Sequence, residues 1–562
     1  MPSLNQALNI GARALSTQQR AMQTSGHNIS NQNTEGFSRQ QVSTKAAAPD
    51  PTGVGGGTDA LPTGRVFDRF VQRKIVQENP KSEVFQSRGD FLNKLEVIFG
   101  DLGETGLRGI LNEFWNSWSQ LSSQPESEVA RQRVQEQGDL VAVKVREMHA
   151  QLVSLRREAD ARIQDTAAQI NSLGEQIAEL NRQIFSYEVS GRQANDARDA
   201  RELAVEELAK LADVNLIENP NGRVSVIIGR DWTLVEGEKF FKTEATLKGG
   251  EIGMVGLEGV ATNNNRRDIT RIFRSGALSE MLQQRDVTIV EFMQDLDELA
   301  FGLANRINEL HATGTGIRSA ASLMKSTYGL NPEALNQPMP FLKDGVFQLH
   351  LVGQDDEFLE TYEFEVQAGM DTLQDVVNRI NQTVQDPSLL QANIEADGSM
   401  LIQTGPEYRF IFGEDQTDLT LIMGFNSFFE SLKGAADLRV SDRILQNPNA
   451  ISTGRDLIPG DNQVALAIAK LQTQPTMKNE SMTFDEFYNG ILGELGLRIR
   501  RNKVEQEQQD GMVRQFKEIR NSISGVNMDE EMTHMVQYQK AYEASARFVK
   551  TVDEMMDTVI NM

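Results

Sequence analysis

Apolar residues recur at helical spacing at both ends of the chain. Between residues 528 and 560, apolar or neutral side chains alternate in steps of four and three. This heptad spacing predicts a helix with a single apolar seam. One position of the seam is occupied by Met535, Tyr542, Val549 and Met556. At the other end, side chains seven residues apart predict a matching seam made of Leu8, Leu15, Met22 and Ile29.

Both terminal segments need a partner surface to be stable helices. Burying four such side chains contributes roughly 6–12 kcal/mol, whereas ordering some thirty residues costs about 1 kcal/mol or more for each of them. Because isolated helices are marginal in water, we predict that both ends are poorly ordered in the free chain and helical in an assembly. The alternative is that they pack on their own globular body as ordinary terminal helices.

The segments next to the ends also show helical periodicity. Helices are predicted for residues 66–100 and 105–134, the second with Leu111, Phe114, Trp115 and Trp118 on its buried side and a break near Pro125. A heptad seam at Ile163, Ile170, Ile177 and Ile184 predicts a long helix that pairs with helices in residues 276–311 and 484–523. The last pairing is the weakest, because residues 505–511 contain no apolar side chain.

The periodicity changes between these helices. Short alternating apolar runs predict a β-rich insertion over residues 214–274 and a mixed β/α insertion over 319–440, with Asp371 as N-cap of one amphipathic helix. The glycine- and proline-rich residues 46–64 predict an irregular loop.

The expected fold class is multidomain α+β, a discontinuous helical and coiled-coil rod built from both chain ends and carrying two inserted β-rich outer domains. The expected domains are a terminal core (1–35 and 525–562), an α-helical rod (36–213, 275–318 and 441–524) and the insertions 214–274 and 319–440.

Composition narrows the possible partners. The net charge of −24 argues against nucleic acid or an anionic membrane as the main partner, and no segment predicts membrane insertion or a cleaved signal peptide. The two ends also carry opposite net charge. Residues 1–40 contain three arginines and one acid, Glu35, whereas the tail contains seven acidic and three basic residues.

Motifs of enzymes are absent from the sequence. It has no phosphate-binding glycine loop, dinucleotide fingerprint, zinc-protease helix or nucleophile elbow. Cysteine is absent, and the five histidines fall in five different predicted elements. We therefore predict no catalytic, cofactor-binding or metal-binding residues and no cofactor.

The terminal motifs resemble those of bacterial flagellar axial proteins, the rod, hook and hook-associated proteins. After the first helix the resemblance is carried by Asn28, Asn31, Asn33, Thr34, Gly36 and Phe37. In the tail it is carried by Gln539, Tyr542, Ala544 and Ala546. Three internal stretches narrow it to the hook-associated proteins of the hook–filament junction: 105–134, 190–216, and 424–440 leading to 459–472. His27 and Glu35 depart from the family's motif.

The resemblance implies a structural, non-enzymatic subunit that is exported by the flagellar type III apparatus and assembled at the distal end of the hook. The implied partners are further copies of the chain in the axial tube, the hook protein, the second hook–filament junction protein and an export chaperone on the C-terminal helix. The four residues of the front seam and the four of the tail seam would form the assembly interface. The alternatives are the second junction protein or a flagellin-like subunit and, in a different class, an enzyme or ligand-binding module in the insertions.

Overall fold

The computed structural model describes residues 2–49, 55–100, 103–220, 222–248, 253–317, 319–331, 333–335, 337–355, 357–455 and 458–561. The helices are α1 (Pro2–Ser30), α2 (Arg69–Phe99), α3 (Leu107–Ser123), α4 (Glu128–Glu188), α5 (Asn195–Leu211), α6 (Ala277–Gln283), α7 (Ile289–His311), α8 (Leu373–Val384), α9 (Leu419–Met423), α10 (Asp442–Gln446), α11 (Gln463–Lys470), α12 (Phe484–Ser524) and α13 (Met528–Ile560).

The strands form small antiparallel sheets. They are β1 (Gln40–Gln41), β2 (Thr44–Ala46), β3 (Thr58–Ala60), β4 (Gly64–Arg65), β5 (Val214–Glu218), β6 (Val224–Ile228), β7 (Trp232–Glu236), β8 (Lys239–Phe240), β9 (Lys242–Leu247), β10 (Val255–Val260), β11 (Arg266–Asp268), β12 (Leu323–Gly329), β13 (Gly345–Val352), β14 (Phe358–Val366), β15 (Gln391–Ile394), β16 (Ser399–Gln403), β17 (Arg409–Asp415), β18 (Phe429–Glu430) and β19 (Arg439–Val440). With long helices at both ends and strands between them, the α+β class is confirmed.

The chain divides into two compact units, each built from separate segments. The first unit comprises Met1–Phe91, Arg157–Asp286 and Ile499–Met562, and the second comprises Leu92–Arg156 and Val287–Arg498. The finer division into a terminal core, a helical part and two insertions stays a prediction.

In the first unit, the C-terminal part of α4 is buried against strands as well as helices. Ile163, Ile170 and Ile177 belong to a core shared with α5, α6, the sheet β5-β6-β7-β8 and the sheet β11-β10-β9. A Cβ at Gly174 would lie 2.8 Å from the Phe240 ring and 3.0 Å from Leu234. The predicted seam is buried, but strands cover much of it, because an apolar stripe packs against any complementary apolar face.

Helix α12 continues through its polar stretch, residues 505–511, and polar side chains within that stretch and on both sides of it bond to neighbouring helices of the same unit. Gln509 donates to the Glu78 carboxylate at 2.8 Å, and Asn502 donates to the Phe85 carbonyl at 2.9 Å. Arg520 donates to Glu206 at 2.6 Å. Polar contacts to α2 and α5 therefore stabilise a segment that apolar periodicity alone did not support.

The loop predicted at residues 46–64 is partly a hairpin. Strand β2 pairs with β3, and β1 pairs with β4, both antiparallel. The prediction of an irregular loop is wrong for residues 46, 58–60 and 64, whose backbone groups lie in these ladders, while residues 50–54 lie outside the described part of the chain.

In the second unit, α8 packs with the sheets β12-β16-β15 and β14-β13-β17 around one apolar core. The predicted N-cap of this helix is wrong by one residue. Thr372 is the N-cap and forms a capping box with Asp375. Asp371 instead accepts hydrogen bonds from Arg379 at 2.6 and 3.0 Å, which hold its pKa below the usual value.

An aromatic cluster forms the other core of the second unit, which confirms the predicted buried side of α3. Phe114 and Trp118 are fully buried, and Trp118 lies 5.4 Å from the Phe428 ring and 6.4 Å from the His311 ring. The His311 side chain is closed off from solvent, with Nδ1 2.7 Å from the Asn426 carbonyl and Nε2 accepting from the Ser452 amide at 2.9 Å. Burial lowers its pKa to about 3.

The two ends of the chain pack on each other in the first unit, where α1 lies along α13. The closest approach is at Gly11, where an added Cβ would lie 2.5 Å from Val549 Cγ2 and 3.2 Å from Phe548 Cδ1. Gly26, on the same helix, has open space at its Cβ position.

These two glycines give a matched test of the α1–α13 contact. Gly26→Ala is expected to stabilise α1 by about 1 kcal/mol, the usual difference in helix propensity. Gly11→Ala gains the same propensity but overpacks the interface at a cost of about 1–3 kcal/mol. Hydrogen exchange of the α1 and α13 amides measures both effects. Equal protection of α1 in the two variants would contradict the close contact at Gly11.

His311 is expected to make the stability of the second unit depend on pH. Its folded-state pKa lies below its unfolded value, so its neutral form stabilises the fold above about pH 6.5. That contribution is lost as the pH falls toward 3, by about 1.4 kcal/mol per pH unit at most. Denaturant unfolding of the wild type and His311→Gln between pH 7 and 5 measures it, since carboxylates titrate mainly below that window. An imidazole NMR signal of His311 that titrates near pH 6.5 in the folded wild type would contradict the assignment.

Candidate assembly interface

The turn after α1 is held by a buried amide. Asn28 is 1% exposed; its Nδ2 donates to the Gln40 carbonyl and its Oδ1 accepts from the Gln40 amide, both at 2.9 Å. The two bonds close a ring between the end of α1 and β1. Since a buried amide without partners is costly, this pair fixes the direction in which the chain leaves the helix.

The rest of the predicted family motif shapes the same turn. Asn31 donates to the His27 carbonyl at 3.0 Å, and Thr34 donates to Asn31 Oδ1 at 3.2 Å. Gly36 has φ +78°, and a Cβ there would lie 3.2 Å from Leu203, so glycine suits both the backbone and the packing. Phe37 meets the His27 ring edge-on at 5.4 Å. Asn33 is exposed, and its side chain makes no hydrogen bond to a described residue.

The start of α13 meets this turn. Asn527 is the N-cap and accepts from the Asp529 amide at 3.0 Å. The Arg39 amide donates to the Ser524 carbonyl at 2.8 Å, and the Arg39 guanidinium lies 3.5 Å from Glu530. Arg13 pairs with Asp59 of β3 at 2.8 Å rather than with the acidic tail. The charge difference between the ends is therefore matched directly at Arg39.

Helix α13 keeps most of its apolar surface in solvent. Among its described residues only Glu531 and Val552 are buried. At 3.6 residues per turn, several exposed apolar side chains lie on one side of the α1 contact. We call them the tail row: Met528, Met532, Tyr542 and Ile560, with Val536 at its edge. A second exposed row lies on the other side of the contact: Phe548, Met555 and Val559.

The residues of the predicted tail seam are only partly covered. Met535, Val549 and Met556 are half-buried, and Tyr542 is 36% exposed. The role of these four residues in assembly stays a prediction.

The front seam lies at the edge of the contact on α1. Leu8, Leu15, Met22 and Ile29 are all half-buried. The most deeply buried positions of α1 carry small or polar side chains, which apolar periodicity does not mark. They are Gly11, Thr17, Ala21, Ser25 and Asn28. Their signal in the sequence is a spacing of three or four residues between most of them, which marks one face of a helix.

Groups of three or more residues able to hold a metal ion are absent from the described part of the chain. The helices described include none that is long and apolar enough to cross a bilayer.

Comparisons with known proteins match both ends and the middle of the chain to models of flagellar proteins. Residues 92–322 match the model of the flagellar hook-associated protein FlgK helical domain. Residues 8–37 match the flagella basal body rod protein model, and residues 520–562 match the flagellar basal body rod FlgEFG protein C-terminal model. The terminal matches coincide with α1 and its turn and with α13.

Curated relatives and a solved structure agree with these matches. Flagellar hook-associated protein 1 of Bacillus subtilis is 26% identical over 100% of this chain and 99% of its own length. The same-named protein of Salmonella typhimurium is 23% identical, with both chains covered fully. The flagellar hook junction protein FlgK from Burkholderia pseudomallei has the same fold, with a TM-score of 0.55, 14% identity, and coverage of 80% of this chain and 100% of that one. The chain is therefore similar over its whole length to flagellar hook-associated protein 1.

Proposed function

We propose that this chain is a structural subunit of the bacterial flagellum at the hook–filament junction, and that the exposed face of α13 joins it to neighbouring copies. The observation that carries the proposal is the pair of terminal helices, which match axial-protein models and leave apolar rows exposed. Soluble monomers rarely expose continuous apolar surface without using it for contact. An assembled tube supplies the surface that covers these rows.

We propose three further partners for this subunit. The hook protein and the second junction protein would contact the subunit from below and above, and an export chaperone would cover α13 before secretion without a cleaved signal peptide. The methionines of the tail row support a surface with more than one partner, because methionine adapts its packing to different neighbours. The role is structural, with no catalytic step assigned to any residue.

Incorporation is expected to fail when a charge enters the tail row. In Met532→Lys, the replaced side chain is 51% exposed in the single chain, so the free energy of unfolding of that chain should change by no more than about 0.5 kcal/mol. Tyr542 is 36% exposed, so Tyr542→Lys is expected to cost more, and circular dichroism checks that this variant is folded. In the assembly the ammonium group would be buried without a partner, which costs several kcal/mol by rough estimate. Motility and electron microscopy of flagella measure the loss.

The matched control is Gln537→Lys on α13. Gln537 is exposed, and by helix geometry it lies about 140° around the axis from Met532 and about 16 Å along the axis from Phe548, the first residue of the second exposed row. This variant should assemble normally. Normal filaments from the Met532 and Tyr542 variants would sink the proposed interface.

The terminal helices are expected to be the least protected helices of the unassembled chain. Few buried contacts mean a low free energy of local opening, and α13 buries few of its side chains. In the free protein, amides of α1 and α13 should exchange far faster than those of α4 around Ile170, which is fully buried. In assembled junctions they should become protected. Strong protection of both ends in the free chain would show instead that they dock stably on their own body.

A further inference from the structure

A cleft in the first unit is lined by arginines although the chain as a whole is acidic. It has a volume of about 930 Å³ and lies among the start of α2, the end of α4, α5 and β5. Its charged walls are Arg65, Arg69, Arg73, Arg192, Arg198 and Arg201, with Glu188, Glu202 and Glu218. A second hollow shares Arg69, Arg73, Arg198 and two of the glutamates, so the arginine wall continues beyond the first cleft.

The glutamates of the cleft are already engaged by arginines of its floor. Arg198 donates to both oxygens of Glu188, at 2.7 and 2.8 Å, and lies 3.5 Å from Glu218. Arg69 is 3.3 Å from the same Glu218. Arg69 and Arg198 together face Glu188 and Glu218, so the charges of these four residues balance.

Deeper in the floor, Arg201 is 1% exposed. It donates to Asn181 Oδ1 at 3.0 Å and to the Gly222 carbonyl at 2.8 Å, and its guanidinium is 3.6 Å from Glu202. Burial lowers the pKa of Arg201, and repulsion from Arg198 and Arg65 acts in the same direction. The floor is thus buried, and its arginines have carboxylate partners in the same unit: Arg201 lies near Glu202, and Arg65 pairs with Asp199 at 2.6 Å.

The rim carries charge that the chain itself does not neutralise. Arg73 and Arg192 are exposed and make no hydrogen bond or ion pair with any residue that the structure describes. Each guanidinium presents five N–H donors in a planar fork that matches a carboxylate. Phe67, Val76 and Leu216 add apolar wall between the charged groups.

We propose that this cleft binds an acidic polypeptide segment, whose carboxylates pair with Arg73 and Arg192 while its backbone lies in the cleft. The volume exceeds what one inorganic anion occupies, and the apolar wall suits the methylene groups of glutamate side chains. The cleft shares no residue with the tail row.

Binding of a labelled oligoglutamate peptide to the full-length protein tests the proposal. Fluorescence anisotropy at low salt is expected to show saturable binding that weakens as salt rises. Arg73→Glu and Arg192→Glu should each weaken it by about tenfold or more, because each removes a charge-assisted pair and adds repulsion. Arg73→Lys should retain part of the binding, since it keeps the charge but loses the paired hydrogen bonds of the guanidinium.

Arg157→Glu is the matched control. Arg157 is an exposed arginine of the same unit, and it lies on α4 about 45 Å along the helix axis from Glu188 by the rise per residue. It should bind the peptide like the wild type, and circular dichroism checks that every variant is folded. Absence of peptide binding, equal weakening by Arg157→Glu, or binding of inorganic phosphate without binding of the peptide would each overturn the proposal.

Discussion

The contact between α1 and α13 is the constraint on which the rest of the chain depends. The first and last helices can approach closely only where the side chains between them are small, and Gly11 against Val549 is that place. Because the two partners stand at opposite ends of the sequence, everything between them must leave from the turn at Asn28 and return to the turn at Asn527. The first compact unit is accordingly built from separate segments, which include both chain ends.

Buried amides hold the crossing points that this arrangement creates. Asn28 joins α1 to β1, and Asn181 joins α4 to the sheet through the Val224 and Gly237 carbonyls. In the second unit, Asn308 bonds to the backbone of Phe428 and Phe429. An amide offers a donor and an acceptor in one plane, so one side chain fixes both groups of a neighbouring strand. Such bonds set the position of a segment, whereas apolar packing mainly supplies the stability.

The tail row and the arginine cleft are two different kinds of unsatisfied surface. The tail row is apolar, so a partner would bind it by burying apolar area. The cleft has charged arginines at its rim, so a partner would bind it by pairing carboxylates with guanidinium groups. A subunit that must sit among several neighbours has a use for both, because apolar area gives affinity and charge matching gives specificity.

Much of the fold followed from periodicity alone. The helical ends, the aromatic face of α3 and the change to strands after Val214 are local patterns, and the structure confirms them. The Asp371 cap and the loop at residues 46–64 failed, since a one-residue choice of cap and a short ladder depend on hydrogen bonds that composition does not encode. The polar stretch of α12 was undervalued for a similar reason, because its partners on α2 are some 430 residues away in sequence.

The sequence by itself determined that both ends are amphipathic helices with apolar seams, because side-chain spacing is fixed by helix geometry. It also determined the family resemblance through the turn after α1. Only the tertiary structure decided which part of each seam is covered. All four residues of the front seam and three of the tail seam are half-buried. The buried face of α1 carries the small residues Gly11, Ala21 and Ser25, and at Gly11 it approaches Val549 of α13. Six arginines from distant segments likewise become one cleft only when α2, α4 and α5 are brought together.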